Sequence, residues 1–123
     1  MEFDVLSNRV IGCAIEVHRA LGPGLLESAY QRCLAHELTI QKIAYVPEYP
    51  LSLEYKGRYI ECGYRIDLLI EDLLIVELKS VERVQPIHEA QLLTYMKLAG
   101  IGTGLLINFN TVLLKDGLKR YVL

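Results

Sequence analysis

The sequence predicts a mixed α/β (α+β) fold in which helices flank a mixed central sheet. Apolar residues recur at three-to-four spacing near the start of the chain, alternate with polar residues in its middle, and form a continuous run around residue 105. These patterns are typical of amphipathic helices, half-buried strands and a fully buried strand, respectively. A chain of 123 residues that is 52% hydrophobic has room for one core, so we expect a single domain over residues 1–123.

Two helices are predicted at the start of the chain. The apolar spacing indicates a helix from about residue 4 to residue 20, and the Gly-Pro-Gly run at residues 22–24 ends it. A second helix follows from about residue 26 to residue 38. It carries Glu27 and Tyr30 on one face, because residues three apart are neighbours on a helix surface.

The rest of the chain alternates strands with one more helix. Strands are predicted over residues 44–55, 58–70, 73–80, 104–109 and 118–123. Pro47 and Pro50 place the first strand at an edge, because proline cannot donate a hydrogen bond to a neighbouring strand. A helix from Pro86 to about Ala99 precedes the fourth strand, and the last strand is short enough to pair at an edge.

Three charged side chains stand at the ends of adjacent apolar strands. Glu77 and Lys79 project together, because side chains alternate along a strand. In the preceding strand the even-numbered positions from 64 to 70 are apolar, which predicts one buried face and leaves Asp67 on the other. Two carboxylates and a lysine are the groups needed to hold a divalent metal ion beside a phosphodiester.

The position of Asp67 depends on the hairpin that joins the two strands. A two-residue turn would set Asp67 opposite Val76, on the wrong face, whereas a three-residue loop at residues 71–73 sets it opposite Glu77. We therefore predict the odd-length loop, or a bulge with the same effect.

Composition and charge exclude several other classes of protein. The formal net charge of -2 gives no overall basic surface, so a nucleic acid would be held by a local patch. The three scattered cysteines contain no Cys-x-x-Cys pair and predict neither disulfides nor a zinc or iron–sulfur site. The basic residues near the charged cluster that are candidates for phosphate contact are Lys56, Arg58, Arg65 and Arg83.

Targeting signals are also missing from the sequence. Residues 1–4 are acidic rather than basic, and no apolar run approaches the roughly eighteen residues of a membrane span. We therefore expect a cytoplasmic protein without membrane contact. Its high apolar content indicates a self-association surface, which makes a homodimer an expected assembly.

Several motifs together resemble those of a known family. They are Gly24-Leu25-Leu26-Glu27-Ser28-Ala29-Tyr30, Tyr64-Arg65-Ile66-Asp67, Val76-Glu77-Leu78-Lys79, Ala90-Gln91-Leu92-Leu93-Thr94-Tyr95 and Leu106-Ile107-Asn108-Phe109. The chain resembles the GxxExxY protein family of the PD-(D/E)XK nuclease superfamily. A glutamate on the leading helix and a Gln-x-x-x-Tyr signature on the later one are similar to the RecB-like branch. One departure is that Ile66, not proline, precedes the aspartate.

The resemblance implies a fold and a site. The fold is a restriction-endonuclease-like ααβββαβ core with a short C-terminal strand. The metal ion would be Mg²⁺ or Mn²⁺, bound by Asp67, Glu77, the backbone carbonyl of Leu78, and Glu27 either directly or through water. Three carboxylates brought together would repel one another, and metal binding would then stabilise the fold.

The remaining site residues are assigned roles around that metal. Lys79 would orient or help deprotonate the attacking water, and Gln91 and Tyr95 would position Lys79 or a phosphate oxygen. The expected substrate is DNA, in preference to RNA. The alternative is a catalytically silent module that keeps the nuclease architecture and binds a nucleic acid or a protein partner.

Overall fold

The computed structural model describes residues 4–123 and has the predicted order of elements. The helices are α1 (Val5–Leu21), α2 (Glu27–Ile40) and α3 (Pro86–Ala99), and the strands are β1 (Tyr45–Tyr55), β2 (Arg58–Ile70), β3 (Leu74–Lys79), β4 (Thr103–Asn108) and β5 (Leu118–Val122). A short 3-10 turn at Leu114–Gly117 precedes β5. This is the expected ααβββαβ core with a short C-terminal strand.

The helix ends form where local chemistry satisfies the backbone. Asp4 caps α1 by accepting a hydrogen bond from the Ser7 backbone N–H at 2.8 Å. Pro86 occupies the first turn of α3, where a missing N–H has no consequence. Gly100 ends α3 in the left-handed conformation at φ 69°.

The five strands form one sheet in the order β1-β2-β3-β4-β5. Only the β3–β4 pair is parallel, and α3 makes the crossover between those two strands. β1 and β5 lie at the two edges, as the prolines of β1 and the shortness of β5 predicted.

Helices cover the sheet on both sides and create two buried clusters. One cluster joins α1 and α2 to the sheet, through side chains such as Val10, Leu34, Leu68, Val76 and Ile107. The other joins α3 to the sheet and contains Ile66, Leu69, Ile75, Leu92 and Met96. Within residues 4–123, no helix combines the length and apolar character needed to cross a membrane.

One prediction about β2 is wrong. Ile66 and Leu68 were expected on the same buried face, yet they pack in different clusters. The β1–β2 ladder pairs Pro47 with Leu68 and Tyr49 with Ile66 but makes no bridge at the intervening Glu48, whose φ is 50°. The regular alternation of side chains along β2 is therefore interrupted near Asp67. The sequence does not reveal the interruption, because both faces of the sheet are covered and apolar residues are expected on each.

Candidate active site

The β2–β3 hairpin has the odd-length loop that the sequence predicted. Leu68 pairs with Val76 and Ile70 with Leu74, which leaves residues 71–73 as the loop. Glu71 and Asp72 take left-handed conformations at φ 51° and 55°. Extending the register by one residue brings Asp67 opposite Glu77.

The two acids are linked through the backbone. The Asp67 N–H donates to Glu77 Oε1 at 3.0 Å, and the Leu78 N–H donates to Asp67 Oδ2 at 2.8 Å. Glu77 is only 6% exposed, whereas Asp67 is half-buried. Each carboxylate therefore has one oxygen fixed by a backbone amide.

Burial and mutual repulsion disfavour the state in which Asp67 and Glu77 are both ionised. Burial raises the pKa of Asp67 above its usual value. Burial, followed by the charge of Asp67, raises the pKa of Glu77 to about 8. The positive charge of Lys79 opposes both shifts.

Helix α3 borders the carboxylates with a hydrogen-bonded pair. Gln91 Nε2 donates to the Tyr95 hydroxyl oxygen at 3.0 Å, and Tyr95 is 6% exposed. Burial raises the pKa of Tyr95, and the negative charge of Glu77 adds to that effect. The structure thus brings Gln91 and Tyr95 to the acidic pair, whereas His88, on the same helix face, caps α3 by accepting from the Gln85 N–H at 3.0 Å.

The loop before α2 is fastened to the end of β3. The Tyr30 hydroxyl donates to the Gly22 carbonyl at 2.5 Å and accepts from the Leu25 N–H at 3.1 Å. Ser80 Oγ donates to the Leu25 carbonyl at 2.5 Å. Tyr30 is fully buried, so its part in the motif is to hold the loop that leads into Glu27.

Glu27 lies near the pair without joining it. It is the first residue of α2, is exposed, and contributes to the raised pKa of Asp67 through its charge. Across residues 4–123, no group of three or more His, Cys, Asp or Glu side chains is placed to hold a metal ion. Binding of a metal ion by Glu27, directly or through water, stays a prediction.

The sequence reasoning gave no site role to two residues of this region, although Asn108 stands in one of the motifs. Glu48 lies in register with Asp67, raises its pKa, and accepts a hydrogen bond from Gln31 Nε2 at 2.8 Å. Asn108 is buried and bonds both backbone groups of Val81, at 3.1 and 2.9 Å, which fixes the segment after Lys79. Asn108 could have been found from the sequence, because it is a polar residue at the end of a buried strand. Glu48 gave no such signal beyond its place between two prolines.

The donor set fits a divalent cation. Asp67 and Glu77 offer hard carboxylate oxygens, and the backbone carbonyl of the adjoining Leu78 is a further ligand of the same kind. The two acids repel each other when both are ionised, and a cation between them would remove that repulsion. Water would complete the coordination, as is common for Mg²⁺.

Comparison with known proteins gives one result. The family model described as the PD-(D/E)XK nuclease superfamily matches residues 4–121. No match is found among curated proteins or among solved structures.

Proposed function

The chain belongs to the PD-(D/E)XK nuclease superfamily, and on that premise we propose that it hydrolyses DNA phosphodiester bonds with the help of Mg²⁺ or Mn²⁺. Nucleases of this superfamily generally use divalent metal ions. The observation that carries the proposal is the buried Asp67–Glu77 pair, with the charge of Lys79 acting on both acids. We also propose that residues 1–123 form one nuclease-like domain.

The metal ligands come from the ends of β2 and β3 and from the start of α2. Asp67 and Glu77 would bind through carboxylate oxygens, the Leu78 carbonyl would add a further oxygen, and Glu27 would bind directly or through water. When bound, the cation neutralises phosphate charge and lowers the pKa of water. The exposed position of Glu27 at the start of α2 suits a water-mediated role.

The other side chains act on the nucleophile and on the phosphate. Lys79 donates hydrogen bonds only, so it orients the attacking water and offsets negative charge that develops on the phosphoryl oxygens. Gln91 and Tyr95 form a bonded pair beside Glu77 and position Lys79 or a phosphate oxygen. The Tyr95 hydroxyl accepts from Gln91 and still has its own proton to donate.

Finer assignments also form part of this proposal. The GxxExxY motif and the Gln-x-x-x-Tyr signature support membership of the GxxExxY family and placement in the RecB-like branch. DNA is favoured over RNA as the substrate. A cytoplasmic location and a homodimer stay predictions.

A cleavage assay tests the proposed activity. Purified protein is incubated with single-stranded DNA, duplex DNA and RNA in Mg²⁺, Mn²⁺ or EDTA, alongside the Glu77→Ala and Lys79→Ala variants. We expect metal-dependent DNA cleavage that both substitutions lower at least about a hundredfold. Glu16→Ala and Lys115→Ala change exposed residues outside the site and are the matched controls, which retain activity.

Two other results would contradict the proposal. Cleavage that persists in Glu77→Ala and Lys79→Ala would come from a contaminating nuclease or from another site. Binding of nucleic acid without cleavage in any metal would identify the chain as the silent module.

A further inference from the structure

The β1–β2 hairpin extends well beyond the hydrophobic core. Its outer part, residues 52–65, is here named the arm. Leu51 and Ile66 are the last residues on each strand that belong to a core cluster, and within the arm Tyr64 packs beside the Tyr95 ring of the second cluster. Lys56 and Gly57 form the turn at its tip, both with left-handed φ values, of 48° and 79°.

The arm carries aromatic side chains that do not contribute to the core. Of the chain's eight tyrosines, the three that are exposed all lie in the arm. Tyr55 is 58% exposed, Tyr59 75% and Tyr64 43%. Aromatic side chains left in water on a projecting ribbon gain little for folding, which indicates that they contact a partner.

Positive charges lie between these rings. Lys56 Nζ lies 5.5 Å from the centre of the Tyr55 ring, and Arg58 pairs with Tyr55 across the strands. Arg65 forms an ion pair with Glu61 at 3.5 Å. Lys56 and Arg58 are the basic residues nearest the tip of the arm. Exposed aromatic rings interleaved with basic side chains are typical of surfaces that bind single-stranded nucleic acids, where bases stack and phosphates pair with cations.

The arm is continuous with the candidate active site. The Tyr64 and Tyr95 rings are 5.9 Å apart, and Tyr95 is bonded to Gln91 beside Glu77. Tyr64 is also only three residues from Asp67 on the same strand, a distance of about 10 Å along an extended chain. A strand lying along the arm would therefore reach the carboxylates.

We propose that the arm binds single-stranded DNA, with bases stacked on Tyr55 and Tyr64 and phosphates contacting Lys56 and Arg58. Tyr64 pairs with Leu51, which lies on the same face of β1 as Tyr55, whereas Tyr59 pairs with Glu54 on the opposite face. A duplex hides the base faces that such stacking requires, so the arm selects an unpaired strand. This proposal rests on the proposed function, because it names the form of the substrate that reaches the same site. The chain's net charge of -2 is consistent with recognition by a local patch rather than by the whole surface.

Fluorescence anisotropy in EDTA tests the arm independently of catalysis. The probes are fluorescein-labelled oligothymidylate and a labelled duplex of equal length, and the variants are Tyr55→Ala, Tyr64→Ala and the double variant. We expect the wild type to prefer the single strand and each alanine to weaken binding about fivefold or more, the lower limit for loss of one stacked base. Tyr55→Phe and Tyr64→Phe keep the rings and retain binding, and so does Tyr59→Ala, because Tyr59 lies on the opposite face.

Matched controls show that lost binding is not lost folding. Val112→Ala and Leu113→Ala remove side chains that are 88% and 53% exposed and lie outside the arm, so they leave DNA binding unchanged. Urea unfolding of Tyr55→Ala should match the wild type, because Tyr55 is 58% exposed and is a member of neither core cluster.

The outcomes separate this proposal from the proposed function. Wild-type binding by the double alanine variant, or equal affinity for the duplex, would overturn the role of the arm whatever the activity. A drop in molecular mass of the double variant on sedimentation, with DNA binding intact, would overturn it in favour of self-association. Strand binding that needs the tyrosines, in a protein that cleaves nothing with Mg²⁺ or Mn²⁺, would support the arm and contradict the nuclease function alone.

Discussion

Replacing Glu77 with glutamine removes one of two buried charges while keeping the shape of the side chain. Burial beside Asp67 raises the pKa of Glu77 from 4.5 to about 8 in the folded protein. An acid whose pKa rises on folding stabilises the fold below its unfolded pKa, and that stability is lost as pH rises through the folded value. With these two pKa values, the metal-free protein should lose about 3 kcal/mol between acidic pH and pH 7.

The glutamine variant should not show this loss. Its side-chain oxygen still accepts from the Asp67 N–H, and it is neutral at every pH. In EDTA at pH 7, Glu77→Gln should therefore be more stable than the wild type by up to about 3 kcal/mol, and the difference should shrink to about 1 kcal/mol at pH 5. Added Mg²⁺ should stabilise the wild type in proportion to its binding and leave the variant unchanged.

Urea unfolding followed by circular dichroism, at pH 5 and pH 7 and with EDTA or Mg²⁺, measures each of these quantities. Glu16→Gln is the matched control, because the Glu16 side chain is 62% exposed and its ion pair with Arg19 is a surface contact of 3.8 Å. A Glu77→Gln protein that is less stable than the wild type in EDTA at pH 7 would refute the reasoning. A stability difference that is the same at both pH values would also refute it.

Three further substitutions test other parts of the site and the fold. Lys79→Ala should lower the cleavage rate at least about a hundredfold while stabilisation by Mg²⁺ persists, and a loss of both would place Lys79 in a structural role. Tyr30→Phe removes two hydrogen bonds to the loop before Glu27 and should cost about 1–3 kcal/mol on urea unfolding; an unchanged midpoint would contradict the role given to its hydroxyl. Asp4 has a pKa lowered to about 2, chiefly by the Ser7 backbone N–H, so its ionised form stabilises α1 above pH 3.8 and that stability is lost as pH falls through 2. Asp4→Asn keeps a capping oxygen and should flatten this acid limb in a pH series of thermal unfolding, whereas an unaltered limb would exclude the cap as its source.

Most of the fold follows from local chemistry that the sequence displays directly. The prolines of β1 exclude a central position, Pro86 and Gly100 bound α3, and alternation puts Glu77 beside Lys79. The odd-length loop was predictable because a one-residue change of register would have moved Asp67 to the opposite face. These features depend on neighbours along the chain or on one hairpin, so no distant contact is needed to infer them.

Other features exist only because distant segments meet. The shift in the pKa of Glu77 depends on how completely the surrounding segments exclude water from Glu77, and neither spacing nor composition reports that burial. Ile66 and Leu68 pack on different helices although their positions in the sequence pattern are equivalent.

The sequence by itself determined which charged groups are present, which strand ends carry them and which superfamily motifs they form. Only the tertiary structure decided which acid is most strongly perturbed, that Glu48 joins the group around Asp67, and that Tyr30 holds the loop before Glu27. The physical reason is that charge interactions and hydrogen bonds depend on distances of a few ångströms between atoms, and for residues far apart in the chain those distances are set by packing.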